Sequence, residues 1–99
     1  MNNLYFDIAA TTPIDDQVSE LMFKTQTTIF GNPSSIHRFG QKSRSLIEKS
    51  RRQISNALNC KPNEIIFTSG GSESNNLILK GLLKKGDHLI TSSYEHPAI

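Results

Sequence analysis

Stretches of helical periodicity alternate along the chain with short apolar runs and glycine-rich breaks, and that order predicts its elements. The first residues, Met1 to Asp7, read as extended. Thr12-Pro13 with Asp15 and Asp16 has the composition of a helix start: a hydroxyl cap, proline in the first turn, then acids at the positive end of the dipole. Val18, Leu21, Met22 and Ile29 mark one face of that helix. Phe30-Gly31-Asn32-Pro33-Ser34-Ser35, dense in turn and cap residues, interrupts it. From about His37 to Leu58, the apolar Leu46, Ile47, Ile54 and Leu58 stand apart from Lys42, Arg44, Lys49, Arg51 and Arg52, which predicts a long amphipathic helix.

Asn59-Cys60-Lys61-Pro62-Asn63 ends that helix, and Glu64-Ile65-Ile66-Phe67-Thr68 predicts a buried strand. After Ser69-Gly70-Gly71-Ser72, the apolar Leu77, Ile78, Leu79, Leu82 and Leu83 predict a third helix, with Lys84 and Lys85 in its last turn and Gly86 beyond. His88 to Ser93 predicts a second strand. Strand, helix, strand is a βαβ unit, and parallel strands joined by a crossover helix place the chain in the α/β class. Two strands do not complete a sheet, and the sequence stops at Ala98-Ile99, where a further helix is due. The expectation is the N-terminal portion of a longer α/β protein.

Composition narrows the picture only modestly. Ninety-nine residues, 35% hydrophobic and without tryptophan, allow one small domain or part of a larger one. The 11 basic and 9 acidic residues leave a formal charge of +2, far from the excess of a nucleic-acid-binding module, and the apolar clusters exclude disorder. No stretch approaches the apolar length of a membrane span, and the start carries no basic and apolar leader. A single cysteine, Cys60, forms no internal disulfide, so a reducing, cytoplasmic setting is expected.

Three constellations carry potential chemistry. The first is Thr68-Ser69-Gly70-Gly71-Ser72-Glu73-Ser74-Asn75-Asn76, between a predicted strand and a helix. Its glycines permit a sharp turn and close approach, Ser72 can cap the helix, and the free N–H groups with the dipole suit an anion such as phosphate. A tight turn with a cap and no ligand explains the same residues equally well, and Glu73 repels an anion unless it points away. The spacing is neither the dinucleotide fingerprint nor the P-loop. The second is Tyr94-Glu95-His96-Pro97 at the carboxyl end of the second predicted strand, where α/β sheets place their ligand crevice; His96 is either a ring-stacking and proton-transfer group or an exposed loop histidine. The third is the Phe30 to Ser35 loop with His37 and Gly40, whose polar groups either shape a substrate mouth or, the more economical reading, cap the long helix. No metal site is expected, because His37, His88, His96 and Cys60 lack ligand spacing. The basic helix reads as a solvated face rather than a nucleic-acid surface.

Taken in order, Tyr5-Phe6-Asp7, Ala9-Ala10-Thr11-Thr12-Pro13, Phe30 to Ser35 with His37 and Gly40, Glu64 to Asn76, and Glu95-His96 closely resemble the start of the cysteine desulfurases. These are pyridoxal-phosphate enzymes of the class V aminotransferase group with the fold-type-I architecture. The resemblance implies that Gly71 and Ser72 bind the cofactor phosphate and that His96 stacks on the pyridine ring and assists proton transfer. It further implies that Asn32, Ser34, Ser35 and Thr11 lie near the substrate mouth of a homodimer. The family usually has Ala-Thr where this chain has Gly71-Ser72, a small residue followed by a hydroxyl in both. Residues 1–14 would join the small domain and residues 15–99 begin the cofactor-binding large domain.

The reaction implied converts L-cysteine to L-alanine, a cysteine nucleophile taking the sulfur as a persulfide for iron–sulfur cluster or thio-cofactor assembly through a scaffold or sulfur-acceptor protein. In the family the Schiff-base lysine and that cysteine lie far downstream, and no lysine here nor Cys60 matches them. The stretch alone is therefore expected to be inactive. A selenocysteine lyase or another class V aminotransferase is the neighbouring alternative, and a non-catalytic remnant serving as a binding or dimerisation module is the alternative of another kind.

Overall fold

Three α-helices and one short 3₁₀ turn, joined by structured loops, make up the computed structural model, which describes residues 4–99. Helix α1 runs Asp16–Thr28, α2 Arg38–Ala57 and α3 Gly71–Gly81, with the 3₁₀ turn at Pro62–Glu64 between α2 and α3.

The start of α1 differs from the expected one. Asp15, not Thr12, is the cap: its carboxylate accepts the N–H groups of Gln17 at 2.9 Å and Val18 at 3.4 Å, so Pro13 lies outside the helix. A carboxylate is a stronger acceptor than a hydroxyl for the orphan N–H groups of a first turn. Thr11 and Thr12 belong to the preceding segment, where the Tyr5 hydroxyl is shared between the carbonyls of Asp7 at 2.9 Å and Thr11 at 3.1 Å. The segment is therefore turned at Ile8 to Ala10, closed by Ala10 N–H on the Asp7 carbonyl at 3.1 Å, rather than extended throughout. Residues 1 to 3 of the expected extended start lie outside the described residues.

Helix α2 is the organising element, because the chain folds back on it at both ends. At its start, Ser34 N–H bonds the Asn32 side chain at 2.9 Å and Ser35 N–H the Asn32 carbonyl at 3.0 Å, curling the loop into a turn. His37 caps the helix, its Nδ1 accepting from Gly40 N–H at 3.4 Å, and Phe30 stacks on Phe39 with centroids 5.5 Å apart. Two glycines permit this fit. A Cβ on Gly31 would run into the Phe39 carbonyl group, and one on Gly40 into the Ser35 and Asn32 carbonyl oxygens. Gly40 is buried, as is Ser43 one turn on.

The other end closes by a Schellman arrangement. Asn59 sits at φ 54° in the left-handed region, with its N–H on the Asn56 carbonyl at 3.3 Å and Cys60 N–H on the Ser55 carbonyl at 2.9 Å. Asparagine tolerates that conformation better than other residues with a Cβ. Glu64 then reaches back to Lys61 N–H at 2.6 Å, which with the Glu64 N–H on the Lys61 carbonyl at 3.0 Å pins the 3₁₀ turn.

The expected strands do not form among the described residues. Ile65 is extended at φ −91° and ψ 124°, yet its carbonyl accepts from the Arg51 guanidinium where a strand neighbour would stand. The 88–93 stretch is uncoupled likewise and turns at Ser93-Tyr94. A strand needs another backbone for its ladder, and neither segment supplies it to the other. Helix α3 also ends earlier than expected: Lys80, not Lys84 or Lys85, occupies its last turn. Lys84 to Asp87 form a separate turn, closed by Asp87 N–H on the Lys84 carbonyl at 3.0 Å, with Gly86 at φ 101° in the position that requires glycine.

Outside α2 the elements lie open. The accessible surface is 9317 Å², whereas a compact monomer of this mass presents about 5,600 Å². The radius of gyration is 18.4 Å, against about 13 Å for a compact chain of this length. Among the described residues no hydrophobic side chain is fully buried: Leu21 and Phe23 of α1, Ile78 of α3 with Leu82 just after it, and Ile66 and Ile90 outside the helices all face outward.

Candidate functional site

The turn from Thr68 to Ser74 is closed by a dense set of side-chain hydrogen bonds. The Thr68 hydroxyl lies 2.7 Å from the Ser74 hydroxyl and 3.3 Å from the Gly70 carbonyl, tying the end of the extended segment to the first turn of α3. Gly70, not Ser72, is the cap, and it offers no side-chain bond. Ser72 stands inside the first turn, because Gly71 already begins the helix. The N–H groups of Gly71, Ser72 and Glu73 thus have no intrahelical partner, while that of Ser74 bonds the Gly70 carbonyl at 3.1 Å.

Glu73 resolves its conflict with an anion by turning away. One carboxylate oxygen accepts from the Ser69 hydroxyl at 2.6 Å and from the Ser69 N–H at 2.7 Å. These two donors, the hydroxyl first, hold its carboxyl below the ordinary 4.5. A carboxyl lowered on folding adds order above its unfolded pKa and loses it as pH falls through the folded one. The Ser69–Glu73 link is therefore complete at neutral pH and opens on acidification below 4.5. In an NMR titration the Ser69 amide is expected to follow a midpoint under 4.5, and a midpoint at or above that value would show the link to be absent.

His96 is exposed near the other end of the chain. Its Nδ1 accepts from Ala98 N–H at 3.1 Å and its carbonyl from Ile99 N–H at 2.9 Å, an arrangement that places the ring proton on Nε2. Ser92 donates to Glu95 at 2.9 Å just before it. Between α3 and the 89–91 segment lies an open groove of about 250 Å³, lined by Asn75, Ile78, Leu89 and Thr91 with Glu95 and Ile99 at its end. Gly71, Ser72 and His96 do not line it, and among the described residues no hydrogen bond joins His96 to the Gly71-Ser72 turn. The turn and the histidine thus share the neighbourhood of α3 without being brought into contact.

In the Asn32 to Ser35 loop, Asn32 and Ser34 are exposed, Ser35 is half-buried, and the backbone is committed to the α2 cap. Thr11 is exposed, with its carbonyl on Tyr5. Among the described residues no three His, Cys, Asp or Glu side chains cluster as metal ligands, and no helix is long and apolar enough to cross a membrane. Sequence reasoning named Ser69 and Ser74 without giving either a role, and it read Arg51, which reaches Ile65 from α2, as part of a solvated face. For Arg51 the signal was present, since it stands four residues after Ile47 and three before Ile54 on the apolar stripe of α2.

Comparison with known proteins adds the context this geometry lacks. The sequence model of the aminotransferase class-V family matches residues 4–99. The chain is 51% identical over 100 residues to the cysteine desulfurase IscS of Dictyoglomus turgidum, covering 97% of this chain and 25% of that protein. It is 48% identical over 103 residues to the cysteine desulfurase IscS of Shewanella baltica, and 47% identical over 103 residues to that of Shewanella oneidensis, covering 97% of this chain and 26% of each. The chain thus spans about a quarter of the length of the curated relatives it matches. No solved structure matches it. With its family model matched from Leu4 to Ile99, the chain belongs to the class-V aminotransferase family.

Proposed function

We propose that these residues form the N-terminal quarter of a pyridoxal-phosphate-dependent cysteine desulfurase, a fold-type-I enzyme that takes sulfur from L-cysteine, releases L-alanine and passes a persulfide to a scaffold or acceptor protein. The observation that carries this reading is the half-identity to proteins of that name along 97% of the chain. Residues 1–14 belong to the small domain in this reading and residues 15–99 open the large one. The 65–68 and 88–91 segments become strands of its sheet, and the outward apolar residues of α1 and α3 become buried faces, once the remaining length of such a protein packs on them.

The start of α3 fits the phosphate of the cofactor. Its three first-turn N–H groups lack partners, the Ser72 hydroxyl makes no hydrogen bond among the described residues, and a Cβ on Gly70 or Gly71 would have nothing within 4 Å. Glu73, held on Ser69, leaves the positive end of α3 open to an anion. Gly71 and Ser72 would hold the phosphate there, and His96 would stack on the ring and hold a proton at Nε2. When bound, pyridoxal phosphate supplies the electron sink for bond breaking at the substrate's α-carbon. Asn32, Ser34, Ser35 and Thr11 shape the substrate mouth in the homodimer, and the single cysteine suits a reducing, cytoplasmic setting. No lysine of this stretch, nor Cys60, is assigned the Schiff-base or nucleophile role.

The test is alanine release. The whole protein, loaded with pyridoxal phosphate and given L-cysteine and a thiol, is expected to yield alanine and sulfide in equal amounts. Absence of alanine would overturn the desulfurase reading, and release from selenocysteine alone would replace it with the lyase.

A further inference from the structure

We propose that Arg51 is a positioning residue for the anion site at the start of α3, acting through the 65–68 segment, and this rests on reading that turn as the place of the cofactor phosphate. Arg51 belongs to α2, yet its side chain is committed outside the helix. Its Nη1 donates to the Ile65 carbonyl, its guanidinium carbon lies 5.0 Å from the centroid of the Phe67 ring, and its Nε bonds Glu48 at 3.2 Å. Only 23% of the side chain is exposed, so these contacts are shielded from water more than an ordinary surface pair.

Each contact uses a different property of the guanidinium. The planar fork serves a carbonyl and a carboxylate in its own plane while its face lies on an aromatic ring. A lysine ammonium, a single charged point, cannot do all three. The result fixes two residues, Ile65 and Phe67, against α2. Thr68 follows directly, and its hydroxyl meets Ser74 and the Gly70 carbonyl. A continuous series of bonds therefore runs from the long helix to the two ends of the Gly70–Ser74 turn, and Gly71 and Ser72 are the residues it encloses. The glycines give that turn no packing of their own, so its place depends on what holds its ends.

The experiment compares pyridoxal phosphate with pyridoxal, which lacks the phosphate, by fluorescence titration of the cofactor-free whole protein. In the unaltered protein pyridoxal phosphate is expected to bind far more tightly. Arg51→Lys is expected to cut that preference at least tenfold while leaving pyridoxal affinity within twofold, whereas general damage would weaken both ligands together. An unchanged preference, or an equal loss for both ligands, would overturn the role of Arg51. If the unaltered protein binds the two ligands equally, the phosphate-site reading itself fails, whatever Arg51 does. Should Arg51→Lys not fold, Phe67→Leu removes the ring under the guanidinium and keeps the apolar bulk, and the same preference is read with the same outcomes.

Discussion

Gly40→Ala is expected to destabilise the protein by about 3 kcal/mol, the upper end of the range for overpacking a filled site. The added methyl would meet two carbonyl oxygens, of Ser35 and Asn32, and stand 2.8 Å from the Ser35 Cβ, all in the turn that curls over the start of α2. Backbone cannot move aside as the end of a side chain can, so the loop must lift. Lifting it breaks the Asn32 bonds to Ser34 and Ser35 together with the His37 cap. The same substitution at Gly81 provides the contrast. There the nearest atom is the Leu77 Cδ1 at 3.9 Å, an ordinary contact, and exchanging glycine for alanine within a helix gains about 0.5–1 kcal/mol. Denaturant unfolding of both variants of the whole protein is the measurement. A Gly40→Ala as stable as the parent would show that the loop does not rest on α2.

Ser72→Ala is expected to weaken pyridoxal phosphate binding by roughly 10- to 100-fold, because a hydrogen bond to a charged group contributes about 1.5–3 kcal/mol. The hydroxyl stands in the first turn of α3 with no partner among the described residues, so removing it breaks nothing in the unliganded protein. Stability without cofactor should therefore be unchanged while affinity falls. Ser72→Thr restores the hydroxyl and should restore binding. Equal affinity of the alanine variant, by absorbance titration, would remove Ser72 from the site.

The three helices were legible in the residues because each rests on local periodicity and local caps. Their ends were not. Asp15 displaced Thr12 as cap because its carboxylate bonds two N–H groups, and Gly70 rather than Ser72 became the cap of α3. The strands follow a different logic. Ile65 to Thr68 has the residues of a buried strand, but a ladder depends on another stretch of backbone, and within this chain Arg51 takes the Ile65 carbonyl instead. Arg51 was grouped with the cations of a solvated face, although its spacing from Ile47 and Ile54 puts it beside the apolar stripe of α2, and periodicity alone does not say what such a charge will reach. In the candidate site, the tight turn before α3 was legible from its glycines and hydroxyls. The turning of Glu73 onto Ser69 was not, since it depends on Ser69, four residues earlier, being within reach.

The outward-facing apolar residues of α1 and α3 also bear on calorimetry. The heat-capacity step of unfolding arises from apolar surface newly wetted, and in this stretch that surface is already wet. By itself the stretch would absorb heat as separate helices fraying, with α2 outlasting the others because both its ends are tied down, and without the sharp peak of a cooperative transition. The steepness with which these residues melt is thus a property lent to them by whatever covers those faces.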